Sequence, residues 1–129
     1  MTAGPRLFSI LRQGRYLIAS IHTALDDSQL VRFQQDLAEM IGRDRARGVV
    51  IDVAALDVLD SFATRTLRQI GEMARLRGAA TVIVGIQPAV AFTMVQLGLH
   101  AGSMATALDL EEGLEVLAER LDGASPIGS

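Results

Sequence analysis

The sequence predicts an α/β domain built on a largely parallel sheet, and three observations carry that prediction. Val49-Val50-Ile51 and Thr81-Val82-Ile83-Val84 are short, β-branched and continuously apolar, as strands buried on both faces are, and parallel strands are the usual case. Between and after them, apolar residues recur at helical spacing. The loops are short, so strand–helix–strand units follow one another with right-handed crossovers. The chain has 129 residues, half of them hydrophobic and 21% charged, which suits one domain with one sizeable core. Aromatics are scarce, so Leu, Ile, Val, Ala and Met must fill that core.

The elements follow in order. Phe8–Leu11 and Tyr16–Ile21 are apolar runs separated by Arg12-Gln13-Gly14-Arg15, a hairpin pattern. Asp26, with Gln29 three residues on, forms a capping box that opens a helix. Leu30, Phe33, Leu37, Met40 and Ile41 share its inner face, and Gly42 is the expected stop. After the strand at Val49–Ile51, Asp60 or Ser61 caps a second helix with Ala63, Leu67, Ile70 and Ala74 on its inner stripe. Gly78 closes it, and Thr81–Val84 is the next strand. Pro88 fits the first turn of a third helix reaching about Leu97. A short strand at Met104–Ala107 and a helix at Leu110–Leu121, capped by Asp109, complete a domain over residues 1–122. The Gly-, Ser- and Pro-containing stretch 123–129 is expected to be a disordered tail.

Composition narrows the function. The net charge of −3 is mild, and there is neither a basic stripe nor a set of stacking aromatics, so nucleic acid is not an expected partner. The cluster Arg43, Arg45 and Arg47, interrupted by Asp44, reads as a solvated loop. Without cysteine there is no disulfide or thiol chemistry, and a cytoplasmic address is expected. The N-terminal stretch lacks a secretion-signal pattern, and no apolar run reaches the ~18 residues of a membrane span. All twelve basic residues are arginine, so Schiff bases and a P-loop lysine are ruled out.

Ligands of such folds sit beyond the C-terminal ends of the strands, which directs attention to the loops Ala54–Ser61 and Gly85–Ala89. A serine at a helix start is commonly a cap. Ser61, beside Asp57 and Asp60, also reads as a phosphate acceptor. A phosphate there meets free backbone N–H groups and the positive end of the helix dipole, so the helix survives while the surface gains nearly two negative charges. As a hydrolase nucleophile Ser61 would need a base, but the histidines are His22 and His100 alone, and no Gly-x-Ser-x-Gly turn is present. These histidines with Asp26 and Asp27 lack metal-ligand spacing, and no metal or other cofactor is expected. A phospho-aspartate receiver domain, with Asp52 as acceptor, would place a lysine after its last strand; the chain has none. Gln87, beside Pro88 at a loop tip, is a candidate partner contact. Arg65, Arg68, Glu72 and Arg75 form an outer stripe on the second helix that is either a solvated face or a dock for an acidic partner.

The segments Gly48-Val49-Val50-Ile51-Asp52, Asp60-Ser61-Phe62, Gly85-Ile86-Gln87-Pro88-Ala89-Val90-Ala91 and Thr106-Ala107-Leu108-Asp109-Leu110-Glu111 together resemble a STAS domain, and more narrowly the RsbS-type stressosome core proteins. The likeness runs from about Phe8 to Leu121 and includes Leu25-Asp26-Asp27 and Phe33-Gln34-Gln35-Asp36-Leu37. It implies a βα fold with helices mainly on one face. It also implies assembly with receptor-like STAS paralogues, as a homo-oligomer or a large hetero-oligomeric core that captures a serine/threonine switch kinase. The resemblance places the family phosphorylation site on Ser61. Asp57, Asp60, Phe62, Arg65, Arg68, Gln87 and Pro88, which lie around it, are the expected partner-binding residues. Such a protein is a scaffold and not an enzyme. In receptor paralogues a phosphorylatable threonine lies near the start of the first helix; here that stretch reads Asp26-Asp27-Ser28, which leaves Ser28 open as a second acceptor. More distant relatives that share the Asp-Ser step suggest an alternative: a free anti-sigma-factor antagonist without a scaffold.

Overall fold

A computed structural model describes residues 7–96 and 104–123. Nine elements follow one another: β1 (Phe8–Gln13), β2 (Tyr16–Ile21), α1 (Asp27–Asp44), β3 (Gly48–Asp52), α2 (Ser61–Leu76), β4 (Ala80–Val84), α3 (Pro88–Gln96), β5 (Met104–Ala107) and α4 (Leu110–Gly123). The sheet has the order β1-β2-β3-β4-β5, antiparallel at β1–β2 and parallel elsewhere. The hairpin closes on Gly14 and Arg15, with Gln13 opposite Tyr16; Gly14, at φ 62°, supplies the positive φ that a two-residue turn needs.

Strand pairing sorts the side chains into two cores, because successive residues point to opposite faces. Leu17, Val49, Thr81 and Met104 form one cross-strand row, and Ala19, Ile51 and Ile83 line the same face. On that face lie Leu30, Phe33, Leu37 and Ile41 of α1, Ala63, Leu67, Ile70 and Ala74 of α2, and Val90 and Met94 of α3. The inner stripes expected from the sequence are the buried ones, with Met40 partly buried against them. Each large side chain fully buried here contributes roughly 1.5–3 kcal/mol. The other face carries Val50, Val82 and Val84, covered by Leu117 of α4. Gly113 lets α4 lie close: a Cβ there would stand 2.6 Å from Val84 Cγ1.

Asp26 caps α1 with the expected capping box: its Oδ1 accepts the Gln29 N–H at 2.8 Å, and Gln29 Oε1 accepts the Asp26 N–H at 2.9 Å. Gly42 is not the stop. The helix runs on to Asp44 and ends at Arg45, whose φ of 53° is left-handed; the Arg45 and Ala46 N–H groups both donate to the Ile41 carbonyl. This closure satisfies the last turn without glycine. Arg43 and Arg45 therefore belong to a helix end, not to a loop, and Arg43 pairs with Asp44 at 3.3 Å. Gly78, at φ 85°, follows α2 as expected, and the Ala79 N–H reaches back to the Ala74 carbonyl at 2.8 Å. Helix α4 is capped by Asp109, which accepts the Glu112 N–H at 2.9 Å, and extends two residues past Leu121. Gly123, expected to open the tail, is instead the last residue of α4. The expected end of α3 at Leu97 and the rest of the expected tail, 124–129, lie outside the described residues.

Candidate functional site

Because β3 and β4 are parallel neighbours, the loops that leave their C-terminal ends lie side by side. Three contacts join them. The Val53 N–H donates to the Val84 carbonyl at 3.0 Å. Gln87 Nε2 donates to the Ala54 carbonyl at 2.8 Å. Gly85, at φ 76°, approaches so closely that a Cβ would stand 2.8 Å from Ala54 Cβ. Asp52 Oδ1 accepts the Ala54 N–H at 2.9 Å and turns the chain out of β3. Leu56 and Leu59 are buried and pin the loop to the core, while Asp57 and Val58 between them are exposed.

The sequence leaves the cap of α2 open between Asp60 and Ser61, and the geometry decides it. Asp60, with extended backbone at φ −81° and ψ 178°, accepts the Ala63 N–H at 2.8 Å. Ser61 is then the first residue of the helix, exposed, and its hydroxyl makes no hydrogen bond among the described residues. Accepting a group from another molecule requires accessibility alone, which it has.

The other expected site residues divide by role. Phe62 is half-buried and packs on the core, with the Arg65 guanidinium carbon 6.0 Å from its ring centre. Ser61, Arg65, Arg68, Glu72 and Arg75 form one exposed stripe along α2. Arg75 is paired with Glu72 at 2.9 Å, whereas Arg65 and Arg68 make no ion pair among the described residues. Gln87 spends its amide N–H on holding the two loops together, so it shapes the site from behind; Pro88 is exposed at the first position of α3. Ser28 is tied up, because its hydroxyl donates to Asp26 Oδ1 at 2.9 Å. The Gln29 N–H, and then that hydroxyl, hold the Asp26 carboxyl below the usual aspartate range. His22 Nε2 lies 3.2 Å from Ser9 Oγ, and His100 lies outside the described residues.

Sequence reasoning missed a shallow apolar depression between the starts of α1 and α2, lined by Leu25, Leu56, Val58 and Leu59 and bordered by Asp60. The exposed Val58 was its one signal, an apolar residue between two aspartates in a loop. Among the described residues no helix is long and apolar enough to cross a membrane.

Comparison with known proteins matches the STAS domain family over residues 8–113. The RsbT co-antagonist protein RsbRA of Bacillus subtilis is 29% identical over 98 residues, covering 76% of this chain and 36% of that protein, so the chain spans about a third of that relative's length. Among solved structures, a serine-to-glutamate variant of RsbS from Moorella thermoacetica superposes with a TM-score of 0.81 at 38% identity, covering 89% of this chain and 97% of that one. A chain of the stressosome, described as a signal integration and transduction hub, gives 0.73 at 36% identity, covering 88% and 98%. The unphosphorylated anti-sigma factor antagonist SpoIIAA, at 14% identity, covers 90% and 98% with a TM-score of 0.67 and shares the fold alone. This chain therefore belongs to the STAS domain family, as a protein of the RsbS type.

Proposed function

We propose that this chain is a non-catalytic, cytoplasmic scaffold of a stressosome-type assembly, holding a serine/threonine switch kinase and releasing it when Ser61 is phosphorylated. The observation that carries the reading is the division of labour at the start of α2: Asp60 makes the cap, leaving Ser61 exposed and its hydroxyl without a partner among the described residues. The kinase would bring ATP. Ser61 Oγ would form the new P–O bond as ADP leaves, and the hydroxyl proton would pass to the kinase. The product dianion would sit at a helix N-terminus, which tolerates it. The docking face would be changed while the fold persists. Asp57, Phe62, Arg65, Arg68 and Pro88 surround that face, with Gln87 behind it.

The test is phosphate incorporation from the cognate kinase, mapped by mass spectrometry, with kinase binding measured in parallel for two variants. Ser61→Ala should keep the kinase bound and take no label; Ser61→Asp should weaken capture, though less than phosphate does. Label on another residue, or tight binding by Ser61→Asp, would overturn the mechanism. Light scattering of the chain alone and with a receptor-like STAS paralogue tests the assembly. Strictly monomeric behaviour in both would favour a free antagonist.

A further inference from the structure

Residues four apart on a helix stand one above the other, and Ser61 and Arg65 hold that relation on the exposed stripe of α2. The Arg65 guanidinium carbon lies 6.0 Å from the centre of the half-buried Phe62 ring, and Arg65 pairs with no carboxylate among the described residues. Arg68, one turn along from Arg65, is also exposed and without an ion pair among the described residues, in contrast to Arg75, which Glu72 already occupies. The stripe therefore presents two available guanidiniums directly beyond Ser61. Arginine in such a position suits a planar two-bond match to carboxylate or phosphate. The direction of the switch adds a constraint. Negative charge added at Ser61 repels a partner only if the partner brings negative charge of its own; a basic partner face would bind more tightly.

We propose that the partner docks carboxylate groups on Arg65 and Arg68, and that phosphate on Ser61 releases it by drawing Arg65 into a phosphoserine–arginine pair along the helix. This inference rests on Ser61 being the acceptor. Release then has two parts: the partner's carboxylate loses its cation, and it faces a dianion in the same place. An aspartate at position 61 is shorter and carries one charge, so it holds Arg65 less well, which explains in advance why it should imitate phosphate incompletely.

The experiment separates this step from the reading beneath it by installing phosphoserine at position 61 through genetic encoding, with no kinase needed. A phosphorus-NMR titration follows the second ionisation of the phosphate, near pH 6 when unpaired. With Arg65 in place that ionisation should fall by about half a unit or more relative to the same phosphoprotein carrying Arg65→Gln. Arg65→Lys should restore part of the difference. The helix start lowers the value equally in all three, so the difference reports the pair alone. Equal titrations in the parent and Arg65→Gln would overturn the proposal. In the second arm, kinase affinity is measured for modified and unmodified chains. Arg65→Gln should bind the kinase less tightly when unmodified and should lose much of the phosphate-dependent drop; an unchanged ratio would also overturn it. If the kinase labels a residue other than Ser61, the acceptor reading fails, while the titration still decides whether Arg65 pairs with phosphate at that position.

Discussion

Asp60 and Ser61 are adjacent and both are good capping residues, so sequence alone does not divide the work between them. Backbone geometry divides it, and the division is measurable. Asp60→Ala removes the carboxylate that accepts the Ala63 N–H and should cost about 0.5–2 kcal/mol. Ser61→Ala removes an exposed hydroxyl with no partner among the described residues and should stay within about 0.5 kcal/mol of the parent. Chemical denaturation of the two variants side by side checks this, and equal losses would mean that Ser61 shares the cap. A second residue behaves in the opposite sense. Thr81 is fully buried in β4, between Val49 and Met104, and its hydroxyl has no hydrogen-bond partner among the described residues. A buried donor left unmade costs about 1–3 kcal/mol, so Thr81→Val, which keeps the branched shape, should stabilise the domain by roughly 1 kcal/mol. The melting temperature should rise by a few degrees. A drop would show that the hydroxyl is satisfied by water.

The helices show which local signals are legible and which are not. The Asp26–Gln29 box, the inner stripes of α1 and α2 and Gly78 could be read directly, because each depends on residues close in sequence. Gly42 misled because glycine marks many helix ends. In α1 the buried Leu37 and Ile41 hold the last turns down, and this offsets a glycine cost of about 1 kcal/mol. The true end uses Arg45 in a left-handed conformation, a role arginine rarely takes and a sequence pattern does not flag. The capping box also has a pH signature. The Asp26 carboxyl titrates below its ordinary value because the charged form accepts the Gln29 N–H and the Ser28 hydroxyl. A group lowered on folding stabilises fully above its unfolded value and loses that contribution as pH falls through the folded one. The stability gap between the parent and Asp26→Ala should therefore be constant at neutral pH and close only under strongly acid conditions, below the usual aspartate range. Thermal melts across pH 2–7, with amide exchange at the start of α1, test that window. For α4 the exposed requirement is space: Gly113→Val drives side-chain atoms into Val84 and should cost about 1–3 kcal/mol, whereas an exposed α4 site such as Glu115→Gln should be neutral.

At the scale of the whole molecule, the sheet was readable because its central strands are buried on both faces and announce themselves as apolar runs. The strands lie in the sheet in chain order, each beside the next. What lies between loops was not readable. The Gln87–Ala54 bond and the depression between the two helix starts join residues far apart in sequence, and no periodicity connects them. The Gln87–Ala54 bond ties one loop to the other, and that tie leads to the last prediction. The Ala54–Asp60 loop is pinned by Leu56 and Leu59, by the Asp52 turn and by Gln87, and α2 is capped without Ser61. A phosphate on Ser61 thus has nothing to melt and no strained element to release, so its effect must stay at the surface. In amide NMR spectra, phosphoserine at position 61 should shift resonances of the Asp57–Arg65 stretch and leave those of β2, β3, α1 and α4 in place. The melting temperature should move by no more than a few degrees. Shifts spreading across Leu17, Ile51 and Phe33 would mean that the domain rearranges, and the switch would then be conformational instead of a change of charge on a standing surface.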